Sequence, residues 1–317
     1  MEKQNRLFLI KISITIVCII LIGIVLLIPI FFDFGWNQAL RDALPDTQYF
    51  FRYITEFGAT YLYLGLFFVI FWGIDKKIGK SLLFVYVSSN FVNFYSKAII
   101  ANERPPESQW LLIGASHLST PSGHAMSSAV IWGFLSIKAK RIIMWIISIV
   151  IIILVGISRM YLGVHWLGDI ITGWLFGGII LLFVLMFEVR FCEFMNKHNV
   201  LYIYLGLAVL GLIVMILTEI FYESSYNFGT PGGQMIGLGL GLALEHKFVN
   251  FEINPKPGEK WRLILRVLIG ILLLLIIYLG LYLIIDSDIF WMSALHYIVT
   301  LIIGIFIWPL IFKKIGI

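Results

Sequence analysis

Long apolar runs, broken at intervals by short polar clusters, make up almost the whole chain. A helix needs about 20 apolar residues to cross a bilayer. Counted that way the sequence predicts ten spans, near 7–32, 59–74, 81–101, 123–138, 141–158, 169–190, 199–222, 231–250, 262–285 and 289–311. The second and fourth are short, with polar ends that continue the helix. No stretch alternates with the period of a half-buried strand, so the pattern predicts an all-α, polytopic membrane helical bundle. Residues 33–58 are different. They are amphipathic, with Phe34, Trp36, Tyr49, Phe50 and Phe51 suited to an interfacial helix, a substrate-side lid or a connector lying on the membrane. Lys3 and Arg6 precede the first run as in a signal peptide. That run continues from Leu7 to Phe32 without a small-residue cleavage site, and we read it as a retained span.

Composition agrees with this reading. Of 317 residues, 60% are hydrophobic and 13% charged, with a mean hydropathy of +0.97, more apolar surface than a soluble domain hides. The net charge of +5 would suggest nucleic acid in a soluble protein. Here it follows the distribution of cations among loops, and no nucleic-acid partner is expected. With the N-terminus cytoplasmic and loops alternating, eighteen Lys and Arg fall inside and five outside: Arg41, Arg52, Lys97, Arg104 and Arg159. That asymmetry obeys the positive-inside rule and places both termini in the cytoplasm. Cys18 and Cys192 lie in or beside apolar runs, and neither a disulfide nor a cysteine-ligated metal is expected.

Three of the five outside cations belong to polar clusters, so something other than topology holds them there. Lys97 and Arg104 are seven residues apart, almost two helical turns, which predicts one helix face carrying both and ended by Pro105. Two stacked cations neutralise a phosphate, and the arginine fork binds two of its oxygens. A snorkelling lysine and an interfacial arginine would read the same way at this point. Ser119-Thr120-Pro121-Ser122-Gly123-His124 predicts a helix start with a hydroxyl cap and proline in the first turn. Backbone N–H groups there favour an anion, Gly123 permits close approach, and Ser122 donates a further hydrogen bond. Taken alone, this is also an ordinary capped helix. In the third cluster Arg159 adds a cation, while His165 and Asp169, four apart, allow the carboxylate to orient one ring nitrogen and free the other as a nucleophile. A buried His–Asp pair also occurs as plain structure. Two histidines beside three cations on one membrane face favour chemistry.

These clusters resemble the signature of the type-2 phosphatidic acid phosphatase superfamily: KxxxxxxRP over Lys97–Pro105, PSGH over Pro121–His124, and SRxxxxxHxxxD over Ser158–Asp169. The resemblance covers about 73 residues directly and implies a six-helix membrane phosphatase core. It further implies that His165 attacks phosphorus to form a phosphohistidine, that Asp169 orients it and that His124 protonates the leaving oxygen. Lys97, Arg104, Ser122, Gly123 and Arg159 would bind the phosphoryl oxygens. No metal and no cofactor are implied. The motif YLGVHWLGDIITGW is similar to that of bacterial lipid phosphatases acting at the outer face of the plasma membrane on undecaprenyl diphosphate, phosphatidylglycerol phosphate or phosphatidic acid.

The sequence thus divides into a phosphatase core over 1–195 and a four-helix transmembrane extension over 196–317. The expected substrate is a membrane lipid within the bilayer, and the sequence assigns no oligomeric state. The extension departs from the six-helix members. Its layout and its LGLGLAL stretch (238–244) resemble the glucose-6-phosphatase branch, so a sugar phosphate stays an alternative substrate, as does phosphoryl transfer to an acceptor other than water. A vanadium haloperoxidase shares the anion cradle but is soluble. A lipid transporter would place ionisable residues mid-bilayer, and only Lys11 and Glu219, each near a span end, are candidates. Gly233, Gly237 and Gly241, at four-residue spacing, predict a flat face for close helix packing rather than a nucleotide loop. His198, His246 and His296 have no motif partner and read as packing or interface residues. His117 is a candidate for the pocket edge.

Overall fold

The computed structural model describes residues 2–112, 118–221, 229–253, 259–284 and 289–316. The expectation for His117 lies outside them. The described chain is helical throughout, with thirteen α-helices and no strand beyond one isolated bridge, Glu103 to Leu118. In chain order the helices are α1 (Glu2–Leu27), α2 (Gly35–Ala43), α3 (Gln48–Thr55), α4 (Thr60–Gly73), α5 (Lys76–Ile100), α6 (Gly123–Ala139) and α7 (Ile142–Tyr161). They continue as α8 (Leu167–Lys197), α9 (Val200–Phe221), α10 (Gly229–Leu244), α11 (Lys260–Ile284), α12 (Phe290–Ile302) and α13 (Trp308–Ile315).

All ten apolar runs are helical, but they are not equally suited to crossing a membrane. Among the described residues six helices, or seven if α3 and α4 act as one bent span, are long and apolar enough. They are α1, α7, α8, α9, α11 and the continuous α12–α13. The runs behind α4, α6 and α10 form shorter helices of 14, 17 and 16 residues. Helix α5 has the length but carries Ser88, Ser89, Asn90, Asn93 and Lys97. The spanning helices bury little of themselves against the protein, as little as 11% for α1, and leave their apolar side chains for lipid. The chain is a multi-pass membrane protein.

Contacts divide the chain into two compact units, one of residues 1–63 and 88–189 and another of 64–87 and 190–317. Residues 64–87 therefore group with the C-terminal part of the chain. The sequence division at 195 is linear and has no counterpart to this exchange.

The second unit is built around α10. Every fourth position of its Gly233–Gly237–Gly241 row lies against α12 or the turn that follows it. A Cβ on Gly237 would come within 3.0 Å of the Ile298 Cα, and one on Gly241 within 3.1 Å of the Ile305 Cβ. On another face, Gly232 and Gly239 lie against α9, where a Cβ on Gly239 would meet the Ala208 nitrogen at 2.7 Å. Without side chains on either face, the backbones approach closely and dispersion replaces the hydrophobic drive that lipid does not supply. Nearby, Lys76 donates to Glu245 at 2.6 Å and to the Phe251 carbonyl at 2.9 Å, while the Phe251 amide donates to the same Glu245 oxygen. The buried charge is thereby paired and hydrogen-bonded, the condition for tolerating it.

The glycine contacts predict an asymmetry. Gly239→Ala should destabilise the protein by about 1–3 kcal/mol through overpacking. Gly280→Ala, on α11 with nothing within 4 Å of the added carbon, should be neutral or slightly stabilising. Thermal unfolding of both variants in detergent measures this, and equal midpoints would refute the packing account.

Candidate active site

Every residue singled out by the sequence motifs falls in the first unit. The structure changes how the sequence places two of the clusters. Lys97 and Arg104 do not share a helix face. Helix α5 stops at Ile100, Ala101 takes a left-handed φ of 51°, and the chain turns out before reaching Arg104. The side chain of Lys97 donates to the Leu118 carbonyl at 2.9 Å. The start of α6 is also later than the pattern suggests. Ser122, not an earlier hydroxyl, is the N-cap, with its Oγ facing the Ala125 amide at 3.5 Å, so Pro121 precedes the cap instead of entering the first turn. The first-turn N–H groups of Gly123 and His124 have no intrahelical acceptor. Gly123 is needed for close approach: a Cβ there would meet the Asn93 Oδ1 at 3.1 Å.

His165 lies in the loop between α7 and α8, and Asp169 lies in the first turn of α8. Both are almost completely buried. Asp169 is surrounded by donors. Its Oδ2 accepts from the Trp166 amide at 2.8 Å, from His165 Nδ1 at 3.0 Å and from the Ser119 hydroxyl. Its Oδ1 accepts from the Thr120 hydroxyl. The bond to the Trp166 amide is half of a capping box.

The other ring nitrogen of His165, Nε2, is 3.0 Å from Arg104 Nη1. A guanidinium only donates, so Nε2 is the unprotonated nitrogen and Nδ1 carries the proton given to Asp169. Burial pushes the His165 pKa well below its ordinary value, followed by Arg104, Arg159, Lys97 and His124. Of the three cations, Arg104 touches the ring, and the charges of Arg159 and Lys97 add to the same downward shift. Arg159, near the end of α7, donates to Thr55 Oγ1 at 2.9 Å, and its buried Nε has no hydrogen-bond partner among the described residues. An unpaired buried donor is costly. Gly58 forms part of the wall, because a Cβ on it would meet the His124 side chain at 2.9 Å.

Most of what supports the loop was not evident from the motifs. Backbone carbonyls that leave a helix need donors, and here Met160, Tyr161, Leu162, Val164 and His165 each have one. Asn37 donates to the Met160 and His165 carbonyls at 2.7 and 3.0 Å. Arg41 donates to Tyr161 and Gln109, the Leu111 amide to Leu162, and Arg104 to Val164 at 2.6 Å. Gly163 turns the loop with a φ of 75°. Below it Phe51, Tyr161, Leu162 and Val164 form a small core joined by Leu40 and Trp110. The amphipathic segment 33–58 thus folds as α2 and α3 and braces the loop bearing His165. Its amphipathic pattern signalled an interface and gave no sign of Asn37 or Arg41 acting on carbonyls.

The comparisons with known proteins agree with the motifs. The model of the PAP2 superfamily matches residues 79–191, and that of the PAP2 superfamily phosphatase transmembrane extension matches residues 229–317. The phosphatidylglycerophosphatase B of Bacillus subtilis (strain 168) is 33% identical over 159 residues, covering 45% of this chain and 76% of that protein. The rat sphingosine-1-phosphate phosphatase 1 is 28% identical over 261 residues, covering 72% of this chain. This chain spans 58% of that relative's length. The undecaprenyl-diphosphatase of Sulfolobus acidocaldarius is 29% identical over 134 residues, covering 39% of this chain and 63% of that protein. The crystal structure of a transmembrane PAP2-type phosphatidylglycerolphosphate phosphatase from Bacillus subtilis is 26% identical, with a TM-score of 0.49, covering 57% of this chain and 96% of that one. The chain belongs to the PAP2 superfamily. The C-terminal helices, which the motifs left unexplained, match an extension carried by phosphatases of that superfamily.

The brace can be tested without any substrate. Asn37→Ala would leave the buried His165 carbonyl unpaired, at a cost of about 1–3 kcal/mol, while the Met160 carbonyl would keep only the Gly163 amide at 3.0 Å. The expected result is a lower unfolding midpoint and faster amide hydrogen exchange over residues 160–166. Exchange unchanged in that loop would refute the role of α2.

Proposed function

We propose that the protein is an integral-membrane phosphatase that hydrolyses a lipid phosphate or prenyl diphosphate through a phosphohistidine on His165. The observation that carries this reading is the orientation of His165, with Nδ1 on Asp169 and Nε2 turned to Arg104. Only the neutral ring with a free Nε2 attacks phosphorus. In the reading, an arriving phosphate draws the Arg104 donors onto its own oxygens and releases the Nε2 lone pair. Arg159 Nε, Lys97, Ser122 and the N–H groups of Gly123 and His124 supply the remaining donors. As the Nε2–phosphorus bond forms, the bond to the lipid oxygen breaks and that oxygen takes a proton from His124. The phosphate's own negative charge favours a protonated His124 among three cations. Water then attacks phosphorus, its proton passes to His124, and inorganic phosphate leaves with His165 restored.

Fixed cations perform the charge stabilisation in this scheme, so metal independence is part of the proposal. The relatives named above act on sphingosine 1-phosphate, phosphatidylglycerophosphate and undecaprenyl diphosphate. All three are phosphates on an apolar chain, which supports a lipid substrate. The loop charges support a plasma-membrane enzyme with cytoplasmic termini and an extracytoplasmic site.

Phosphate release by purified protein in detergent with EDTA tests the reading, using these three compounds, phosphatidic acid and glucose 6-phosphate. His165→Ala should lower kcat by at least about a thousandfold, and quenched wild-type enzyme should carry an acid-labile, alkali-stable phosphoryl group. Release that ignores the substitution would sink the proposal. Because the neutral form of His165 reacts and its pKa is lowered, the acid limb of kcat/KM due to this ring should lie below pH 6.5. Arg104→Gln removes a cation that opposes its protonation and should move that limb upward. A wild-type limb above pH 6.5 would contradict the assignment.

A further inference from the structure

We propose that Ser119 and Thr120, with Asn102 behind them, are positioning residues that set the tautomer of His165 by holding both oxygens of Asp169. Neither hydroxyl has capping duty, since Ser122 is the cap of α6. Both are fully buried, as is the carboxylate they reach. Ser119 donates to Oδ2 and Thr120 to Oδ1. The direction of the second bond is set from behind. Asn102 Nδ2 donates to Thr120 Oγ1 at 2.9 Å, so the threonine's own proton is turned to Asp169. The Ser119 amide donates to the Asn102 carbonyl at 2.8 Å, fixing the two segments together. Ser119 Oγ also lies 3.3 Å from His165 Nδ1, on the side of the ring that faces the carboxylate.

The consequence is a directed chain of donors from Asn102 through Thr120 to Asp169, onto which His165 donates from the other side. Thr120 holds Oδ1, while Ser119 and the Trp166 amide hold Oδ2, the oxygen that faces Nδ1. With both oxygens held, the carboxylate keeps Oδ2 aimed at the ring. Removing a hydroxyl frees the carboxylate to rotate and weakens its hold on the Nδ1 proton. The ring then samples the tautomer with Nε2 protonated, which cannot attack phosphorus.

The inference rests on the phosphatase reading for its kinetic arm only. The experiment is nitrogen NMR of full-length protein in detergent, labelled with ¹⁵N-histidine and assigned with His165→Gln, together with phosphate release. In the wild type, His165 should show a protonated Nδ1 and an unprotonated Nε2. Thr120→Val and Ser119→Ala should each mix in the other tautomer and lower kcat by about 10- to 100-fold, the factor a charge-assisted hydrogen bond commands, with KM little changed. Thr120→Ser, which retains the hydroxyl, should recover both readouts. An unchanged His165 spectrum in the valine and alanine variants overturns the proposal. If Thr120→Val does not fold, Ser119→Ala decides by the same spectrum. If the wild type releases no phosphate from any compound, the phosphatase reading falls, and the tautomer spectrum still decides this one.

Discussion

The first unit depends on one buried carboxylate. Asp169 carries no exposed surface, and a charge removed from water costs several kcal/mol unless donors replace its hydration. That requirement draws two distant stretches together. Ser119 and Thr120 come from the approach to α6, His165 and the Trp166 amide from the loop before α8, and the Ser122 amide donates to the Asp169 backbone carbonyl at 3.0 Å. The start of α6 and the start of α8 are therefore joined by side chain and backbone alike. The loop bearing His165 and the turn before α6 come near one another because this carboxylate has to be satisfied.

The second constraint is the irregular backbone between Met160 and His165, whose carbonyls lie in a largely apolar protein. Asn37, Arg41 and Arg104 supply donors to them. Arg104 therefore has two attachments, one to the Val164 carbonyl and one to the ring of His165. The first fixes where the guanidinium is, so its second can aim at the ring nitrogen.

How much of this could be read from sequence differs by residue type. Histidines, arginines and an aspartate stand out in an apolar chain because lipid tolerates them only for a reason. Their spacing was enough to name the family, which the comparisons show. Helix presence was equally readable from apolar runs, whereas helix length was less so: α4, α6 and α10 have 14, 17 and 16 residues, and α5 carries polar side chains along its length. Arg104 was misplaced because the seven-residue spacing suits a helix, and the turn at Ala101 uses a residue that rarely adopts positive φ. Ser119 and Thr120 were legible only as a cap, since a hydroxyl before a helix says nothing of a carboxylate fifty residues on. The exchange of residues 64–87 into the second unit leaves no local mark at all.

The unpaired Nε of Arg159 has a consequence for how such a protein can change. A buried donor without a protein acceptor is costly, and a neutral side chain in place of the arginine would remove that cost. Selection for thermal robustness alone would favour such a replacement, because many stabilising substitutions are available where function is ignored. A thermostabilised variant obtained without a functional screen should be inspected first at position 159.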